Sequence, residues 1–350
     1  MIAHFVPFWG VNPYQRLLIH RLEEVGVEVR KWADMKEFSS LSGKLNPGSE
    51  VVHLHWIPYF GWTRLPQLLA YRRRLRGVRT SGAPVVWTAH NLVPHQSRCL
   101  AFDLLLTKQV VKAAEVVVCH SEAARLELKR YLGECVLHKS RVIPHGNFSD
   151  CYPNLVSRRE AKAKFRVNED NVVFLFIGQI RPYKGVFDLI AAFRKLNAEY
   201  ARLLIAGRPY DQRTAESVRA AAAADPRIIA ELRFIEDDEL QLFLNASDVA
   251  VFPYASGLTS GALILAMSFG RACIASDATG TSECLGEHGG IVYDSSCPRA
   301  LVSALNWAAA NRADLARIGR NNYERSQRWD WRTIAESTRV AYVDAINMRS

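Results

Sequence analysis

The sequence predicts an α/β protein made of two doubly wound domains. Three observations carry that reading. Short β-rich runs alternate with amphipathic helical stretches, as in a parallel sheet covered by helices. The length, 350 residues, is more than one ordinary core fills. The alternation breaks once, near residues 151–157, and then starts again.

In the first half the strand candidates are residues 2–6, 28–31, 50–55, 84–90, 116–120 and 141–144. Helical stretches at 14–25, 65–76 and 122–132 lie between them. Pro153 and Asn154 mark the linker. The second series begins with the apolar run 172–177, the loop Gly178-Gln179-Ile180-Arg181-Pro182-Tyr183-Lys184-Gly185 and a helix over 186–197. Strands are expected at 202–206, 232–235, 249–253, 272–276 and 290–292, with an alanine-rich helix at 215–224 and a largely helical tail over 298–346. The expected domains are 1–152, 153–328 and a final helix, 329–350, that crosses back to the first.

Composition narrows the class. Apolar residues make up 49% and charged residues 23%, which excludes disorder and coiled coil. No apolar run approaches the roughly 18 residues of a membrane-spanning helix, and the first ten residues lack the basic start of a secretory signal. A cytoplasmic location, peripheral on the inner face of the membrane, is expected. The net charge of +10 is uneven: residues 1–168 hold 25 Lys and Arg against 13 Asp and Glu, so this part carries the whole excess. Such a half suits an anionic partner, although a solubilising surface gives the same count. The seven cysteines show no metal-like spacing and read as buried reduced thiols.

Two loops stand out chemically. Arg181 and Lys184, between Gly178 and Gly185, follow a strand and precede a helix, where open α/β sheets bind ligands. Two cations at such a place can receive a diphosphate; the other reading is a solvated basic turn. The second loop, Ala255-Ser256-Gly257-Leu258-Thr259-Ser260-Gly261-Ala262, combines small residues with a helix start. It offers either close backbone approach to an anion or a plain helix cap. The acidic run Glu236-Asp237-Asp238-Glu239 precedes a helix, so dipole-favoured acids are expected rather than a metal site. His53 and His55 flank Leu54 at a strand end; only one is expected to face inward, with His55, beside Trp56, the one reaching the ligand side. Arg72-Arg73-Arg74-Leu75-Arg76 lies in a helix with a leucine face and suits an anionic bilayer. No recognised nucleic-acid motif accompanies the charge, and no nucleic-acid partner is expected.

Taken in order, these segments resemble the glycogen-synthase-like, family 4 type, glycosyltransferases of the two-domain GT-B fold. Gly178–Gly185 looks like their G-x-[IL]-x-x-x-K-G loop. The run 239–249 followed by Pro253 is similar to their helix–Ala-x-Asp–strand–Pro segment, and Ala266-Met267-Ser268-Phe269-Gly270-Arg271 to their A-M-x-x-G signature. Val142-Ile143-Pro144-His145-Gly146, Thr88-Ala89-His90-Asn91 and the terminal Trp329-Asp330-Trp331 add to it, so the likeness spans nearly the whole chain.

The resemblance implies two Rossmann-like domains facing a central cleft and transfer of a hexose from a nucleotide diphosphate sugar, GDP-mannose or a UDP-sugar, to a hydroxyl acceptor. A lipid-linked or polysaccharide intermediate is the expected acceptor. Arg181 and Lys184 would clamp the diphosphate. Gly10 would lie near donor phosphates and sugar, and His90 would contact the transferred sugar. Thr259, Ser260 and Gly261 would add donor contacts, Gly207, Arg208 and Ile235 would border the base, and His55 and Asn91 would serve the acceptor. No cofactor or metal is expected beyond the co-substrate. One departure marks a divergent branch: the family's two glutamates, E-x7-E, correspond here to Gly257 and Leu265. That loss keeps open the alternative of a non-catalytic sugar-nucleotide-binding or scaffold protein of a polysaccharide assembly system.

Overall fold

The computed structural model describes residues 1–10, 12–39, 45–58, 65–80, 82–92, 100–277 and 280–349. The chain separates into two compact units, Met1–Gly146 with Trp329–Ser350, and Asn147–Arg328.

The first unit is built on six parallel strands. In chain order its elements are β1 (Ile2–Val6), α1 (Pro13–Glu24), β2 (Glu28–Lys31), α2 (Met35–Phe38), β3 (Glu50–Leu54), α3 (Leu65–Thr80), β4 (Val85–Thr88), α4 (Leu100–Ala113), β5 (Val116–Cys119), α5 (Glu122–Leu132), α6 (Cys135–Lys139) and β6 (Ser140–Val142). The sheet order is β2-β1-β3-β4-β5-β6. Strands β4 and β5 are buried at every position, as expected of valine runs covered on both faces. Local signals set the helix starts: Asn12 caps α1 ahead of Pro13, and the Ser121 hydroxyl accepts from Ala124 N at 3.0 Å to open α5.

The second unit repeats the plan with α7 (Arg158–Lys164), β7 (Val172–Ile177), α8 (Val186–Arg194), β8 (Ala201–Ala206), α9 (Gln212–Ala223), β9 (Ile228–Glu231), α10 (Leu240–Ala246), β10 (Val249–Phe252), α11 (Gly261–Ser268), β11 (Ala272–Ser276), α12 (Thr281–Leu285), β12 (Gly290–Tyr293), α13 (Ala300–Ala310) and α14 (Arg312–Gln327). Its parallel sheet runs β12-β11-β10-β7-β8-β9. The last helix, α15 (Trp331–Arg349), belongs to the first unit. Trp331, Ile334, Ala335, Ala341 and Tyr342 join the core formed by Phe5, Leu18, Val51, Val86 and Val118. Gly146 makes room for Trp331: a Cβ there would lie 2.2 Å from the indole.

Two expectations change. The strand expected at 232–235 is β9, four residues earlier; Leu232–Ile235 has left the sheet edge, with Phe234 exposed and Ile235 turned inward. Residues 147–152, expected in the first domain, cluster with the second unit. There Phe148 N donates to Ser268 Oγ at 2.9 Å and Asn147 Nδ2 to Ser326 O at 3.2 Å. No helix among the described residues is long and apolar enough to cross a membrane.

Candidate functional site

In the second sheet, β7 leads to β8 and β9 on one side, while β10, β11 and β12 extend on the other. The topological switch therefore falls between the carboxyl ends of β7 and β10, where such sheets open a crevice for ligands. The two loops singled out from the sequence leave these two strand ends. They are joined: Ala255 N donates to Tyr183 O at 2.8 Å, and the Tyr183 and Tyr254 rings lie 6.2 Å apart. Close packing of backbone makes this possible. A Cβ on Gly185 (φ +67°) would sit 2.1 Å from Pro253 O, and one on Gly207 (φ +146°) 1.8 Å from Gly178 O.

Two cations stand on this frame. Lys184 ends a short 3-10 turn (Pro182–Lys184), with Nζ 5.0 Å from the centre of the Tyr254 ring. Burial lowers its pKa from the ordinary lysine value; Tyr183 opposes the shift and Arg181 adds to it. Arg181 Nε donates to Gln179 Oε1 at 2.9 Å, and its guanidinium lies 5.6 Å from the Tyr210 ring. Neither has a carboxylate within ion-pair distance among the described residues. A partly desolvated ammonium without a counter-ion gains most from an anionic ligand. Gly207 and Arg208 border the same loop, where Ile180 N donates to Arg208 O at 3.0 Å. Ser260 caps α11 by accepting from Leu263 N at 3.2 Å, so capping is established for Ser260. Thr259 Oγ1 is buried with no hydrogen-bond partner among the described residues.

The carboxyl edge of the first sheet has a different chemistry. A histidine follows four strands in turn: His55, His90, His120 and His145. Tyr14 of α1 touches all four rings, with centroids 4.9 to 6.1 Å away. His55 Nδ1 and His90 Nε2 share a hydrogen bond of 3.2 Å. His120 Nδ1–H donates to Ile143 O at 2.9 Å and His145 Nδ1–H to Gly146 O at 2.7 Å, which assigns their protons because a carbonyl only accepts. Burial pushes His120 down to about 4 and His145 to about 3, and lowers His55 and His90 as well. The cluster is neutral at pH 7. Its His55 and His120 Nε2 atoms are buried without a hydrogen-bond partner among the described residues. Outward, His90 stacks on Trp56 (4.5 Å, 14°), and Trp56 on the half-exposed Trp9 (4.3 Å, 10°). Gly10 is exposed beside Trp9, and Asn91 is half-buried after His90.

The expectation that only one of His53 and His55 faces inward is corrected. Residues two apart on a strand share a face; both are buried, with ring centroids 4.2 Å apart. His53 is held by Tyr342 and Thr88 at 2.7 Å each, a structural setting. Sequence reasoning passed over Tyr14, Trp9 and His120, although histidines closing successive strand runs were visible as a pattern. Glu239 of the acidic run forms a bidentate pair with Arg233 at 2.6 and 2.7 Å. Among the described residues no group of three or more His, Cys, Asp or Glu side chains could hold a metal ion. Their six cysteines are free, and Cys99 lies outside the described residues.

Two family models match the chain: "Glycosyltransferase Family 4" over residues 28–146 and "Glycosyl transferases group 1" over 157–325. A GDP-mannose:glycolipid 4-beta-D-mannosyltransferase of Xanthomonas campestris pv. campestris is 25% identical over 349 residues, 95% of this chain and 90% of the relative. An alpha-maltose-1-phosphate synthase of Mycobacterium tuberculosis is 27% identical over 74% of this chain and 72% of its own. Among solved structures, the sucrose-phosphate synthase of Thermosynechococcus elongatus superposes with a TM-score of 0.79 at 19% identity over 98% of each chain. Anabaena HepE in complex with UDP-glucose gives 0.75 at 17% identity, over 97% of this chain and 98% of that one. At these identities the two structures establish the fold.

Proposed function

The chain belongs to the family 4 type glycosyltransferases of the GT-B fold, and on that premise we propose that it moves a mannosyl group from GDP-mannose to a hydroxyl of a glycolipid or other lipid-linked glycan intermediate. That it is a nucleotide-sugar-dependent hexosyltransferase follows from the family and its named relatives. The donor and acceptor are the finer reading, and they rest on the mannosyltransferase relative that matches 95% of this chain.

The observation that carries the chemistry is the pair Arg181 and Lys184, without counter-carboxylates among the described residues, at the switch point of the second sheet. Glycosyl transfer breaks the bond between the anomeric carbon and a diphosphate oxygen, so negative charge grows on the leaving group. Cations already in place, and unwilling to stay unpaired, favour the transition state more than the ground state. In this reading Arg181 and Lys184 hold the diphosphate, while Thr259 and the backbone of Ser260 and Gly261 approach the donor from the start of α11. Gly207, Arg208 and Ile235 border the base. In the first unit Gly10 and His90 serve the donor sugar, and His55 and Asn91 the acceptor. No metal enters these roles, and the protein works at an anionic membrane surface. Gly257 and Leu265, in place of two carboxylates, favour a second reading, a binding or scaffold protein without turnover.

A thermal-shift panel with GDP, GDP-mannose, UDP and UDP-glucose tests the donor, since a ligand of the native state alone raises the transition. GDP and GDP-mannose should raise it, and labelled mannose should pass to a lipid acceptor with release of GDP. Stabilisation by UDP-sugars alone would overturn the choice of base. Stabilisation by GDP-mannose, with neither transfer nor hydrolysis, would establish the scaffold.

A further inference from the structure

A cavity of about 140 Å³ opens between α3 and α4 of the first unit, lined by Arg72, Leu75, Arg76, Arg79, Gln109, Lys112 and Ala113. Four of its seven lining residues are cations, and none is acidic. None of the four has a carboxylate within ion-pair distance among the described residues, and Glu115, the nearest acid in sequence, is taken by Arg349 at 3.0 Å.

The place of this cavity separates it from the sugar-transfer site. Helices α3 and α4 each connect parallel strands, so they run against the strand direction, and their last turns return to the edge where strands begin. Contacts fix this: Glu115 Oε2 accepts from Val85 N, the first residue of β4, at 2.7 Å, and Arg349 also donates to Arg79 O. The histidine cluster and Trp9 stand at the other edge, where strands end.

The ordinary explanation for basic residues here is the negative end of each helix dipole. That effect is confined to the last turn. It covers Arg79 and Lys112 but not Arg72 and Arg76, which lie about two turns and one turn before the end of α3. The helix ends are also already served by other cations: Arg349 donates to Arg79 O, and Lys139 Nζ donates to Ala114 O at 2.7 Å. A second observation points to the kind of ligand. Leu69 precedes Arg72, Arg76 and Arg79 on one stripe of α3, and Leu105 precedes Gln109 and Lys112 on one stripe of α4. Both leucines are about half exposed, 53% and 50%.

We infer that this cavity binds the phosphate head group of an anionic lipid, with the four cations and Gln109 around the phosphate and Leu69 and Leu105 toward the acyl chains. The ligand chemistry is a phosphate group, and the leucines favour lipid over free phosphate as its source. The site stands apart from the sugar-transfer reading and is tested without turnover.

The test compares two charge-matched triple variants of the full chain. One removes lining cations, Arg76→Gln with Arg79→Gln and Lys112→Gln. The other removes cations of the same helices that do not line the cavity, Arg73→Gln with Arg74→Gln and Lys108→Gln. Each is pelleted with phosphatidylcholine vesicles with and without phosphatidic acid. Each is also titrated with inorganic pyrophosphate in a Lys184→Ala background, so that the donor loop does not contribute. The lining variant should lose about a hundredfold in affinity for phosphatidic acid vesicles, the other triple only a few-fold. Leu69→Ser with Leu105→Ser should weaken vesicle binding and leave pyrophosphate binding intact. Equal losses in both triples would mean diffuse attraction and overturn the site. So would wild type that binds neither probe. Pyrophosphate binding without vesicle binding would keep the phosphate site and overturn the lipid as its source.

Discussion

The carboxyl edges of the two parallel sheets solve different problems on two different strand orders, with the switch between β1 and β3 in the first and between β7 and β10 in the second. In the second unit the edge carries two cations and two glycine-dependent backbone contacts, and among the described residues no carboxylate pairs with either cation. In the first it carries buried imidazoles around Tyr14, held neutral, with nitrogen atoms on His55 and His120 that have no hydrogen-bond partner among the described residues. Charge with close backbone approach suits an anion that changes little in shape. Neutral hydrogen-bonding rings with an aromatic stack suit sugar hydroxyls and ring faces. Two doubly wound parallel sheets thus offer two ligand chemistries, decided by residues just past the strand ends.

The largest effect that sharpens this contrast is on stability. His120 sits at about 4, His145 and His53 at about 3, against an unfolded value near 6.5. These folded values are depressed, so the unfolded chain binds more protons as pH falls below 6.5. Stability present above that pH is lost on the way down, by about 2 kcal/mol per ring at pH 5. Nine of the ten histidines lie in residues 1–145, and the tenth is His288. Hydrogen exchange at pH 7 and pH 5 should therefore show opening of the first unit, with the second nearly unchanged. Equal loss in both units would break the comparison.

Next is the anionic half of the contrast. Lys184→Ala and Arg181→Ala should each lower turnover by about a hundredfold or more, because each removes a charge-assisted contact that strengthens as the diphosphate leaves. Circular dichroism should show both variants folded, since neither side chain is in an ion pair among the described residues. Activity within a few-fold of wild type would remove this loop from the donor site.

Much of this was legible in advance, for physical reasons that vary along the chain. The strand at Val172–Ile177 and that at Ala272–Ser276 were readable to the residue, because central strands are uninterrupted apolar runs. The edge strand β9 was misplaced: half-exposed residues give no clean pattern, and the apolar pair Phe234 and Ile235 drew the reading past it. Helix α4 was missed because Leu104, Leu105, Leu106, Val110 and Val111 spread apolar residues around it and blur the period. At the candidate site Arg181 and Lys184 were legible through glycine spacing. The ring of histidines showed only as a residue repeated past successive strand runs: one histidine at a strand end reads as core, and only the parallel register sets four of them side by side.

The smallest expected effect is from chelation. Where a metal carries a leaving diphosphate, carboxylates must hold the ion, and its removal abolishes transfer. In the second unit the acids nearest in sequence to Ile235, which is proposed to border the base, are committed or placed otherwise. Glu239 is locked to Arg233 by two short bonds, and the run Glu236–Asp238 leads into α10, where acids meet the positive end of the helix. Arg181 and Lys184 already bring positive charge to the loop where the diphosphate is proposed to sit. Mannosyl transfer should accordingly continue in EDTA at close to its full rate, and added manganese should raise it little. If chelation abolished transfer and manganese restored it, the charge on the leaving group would be carried by an ion, and the division between a cationic edge and a neutral one would have to be redrawn.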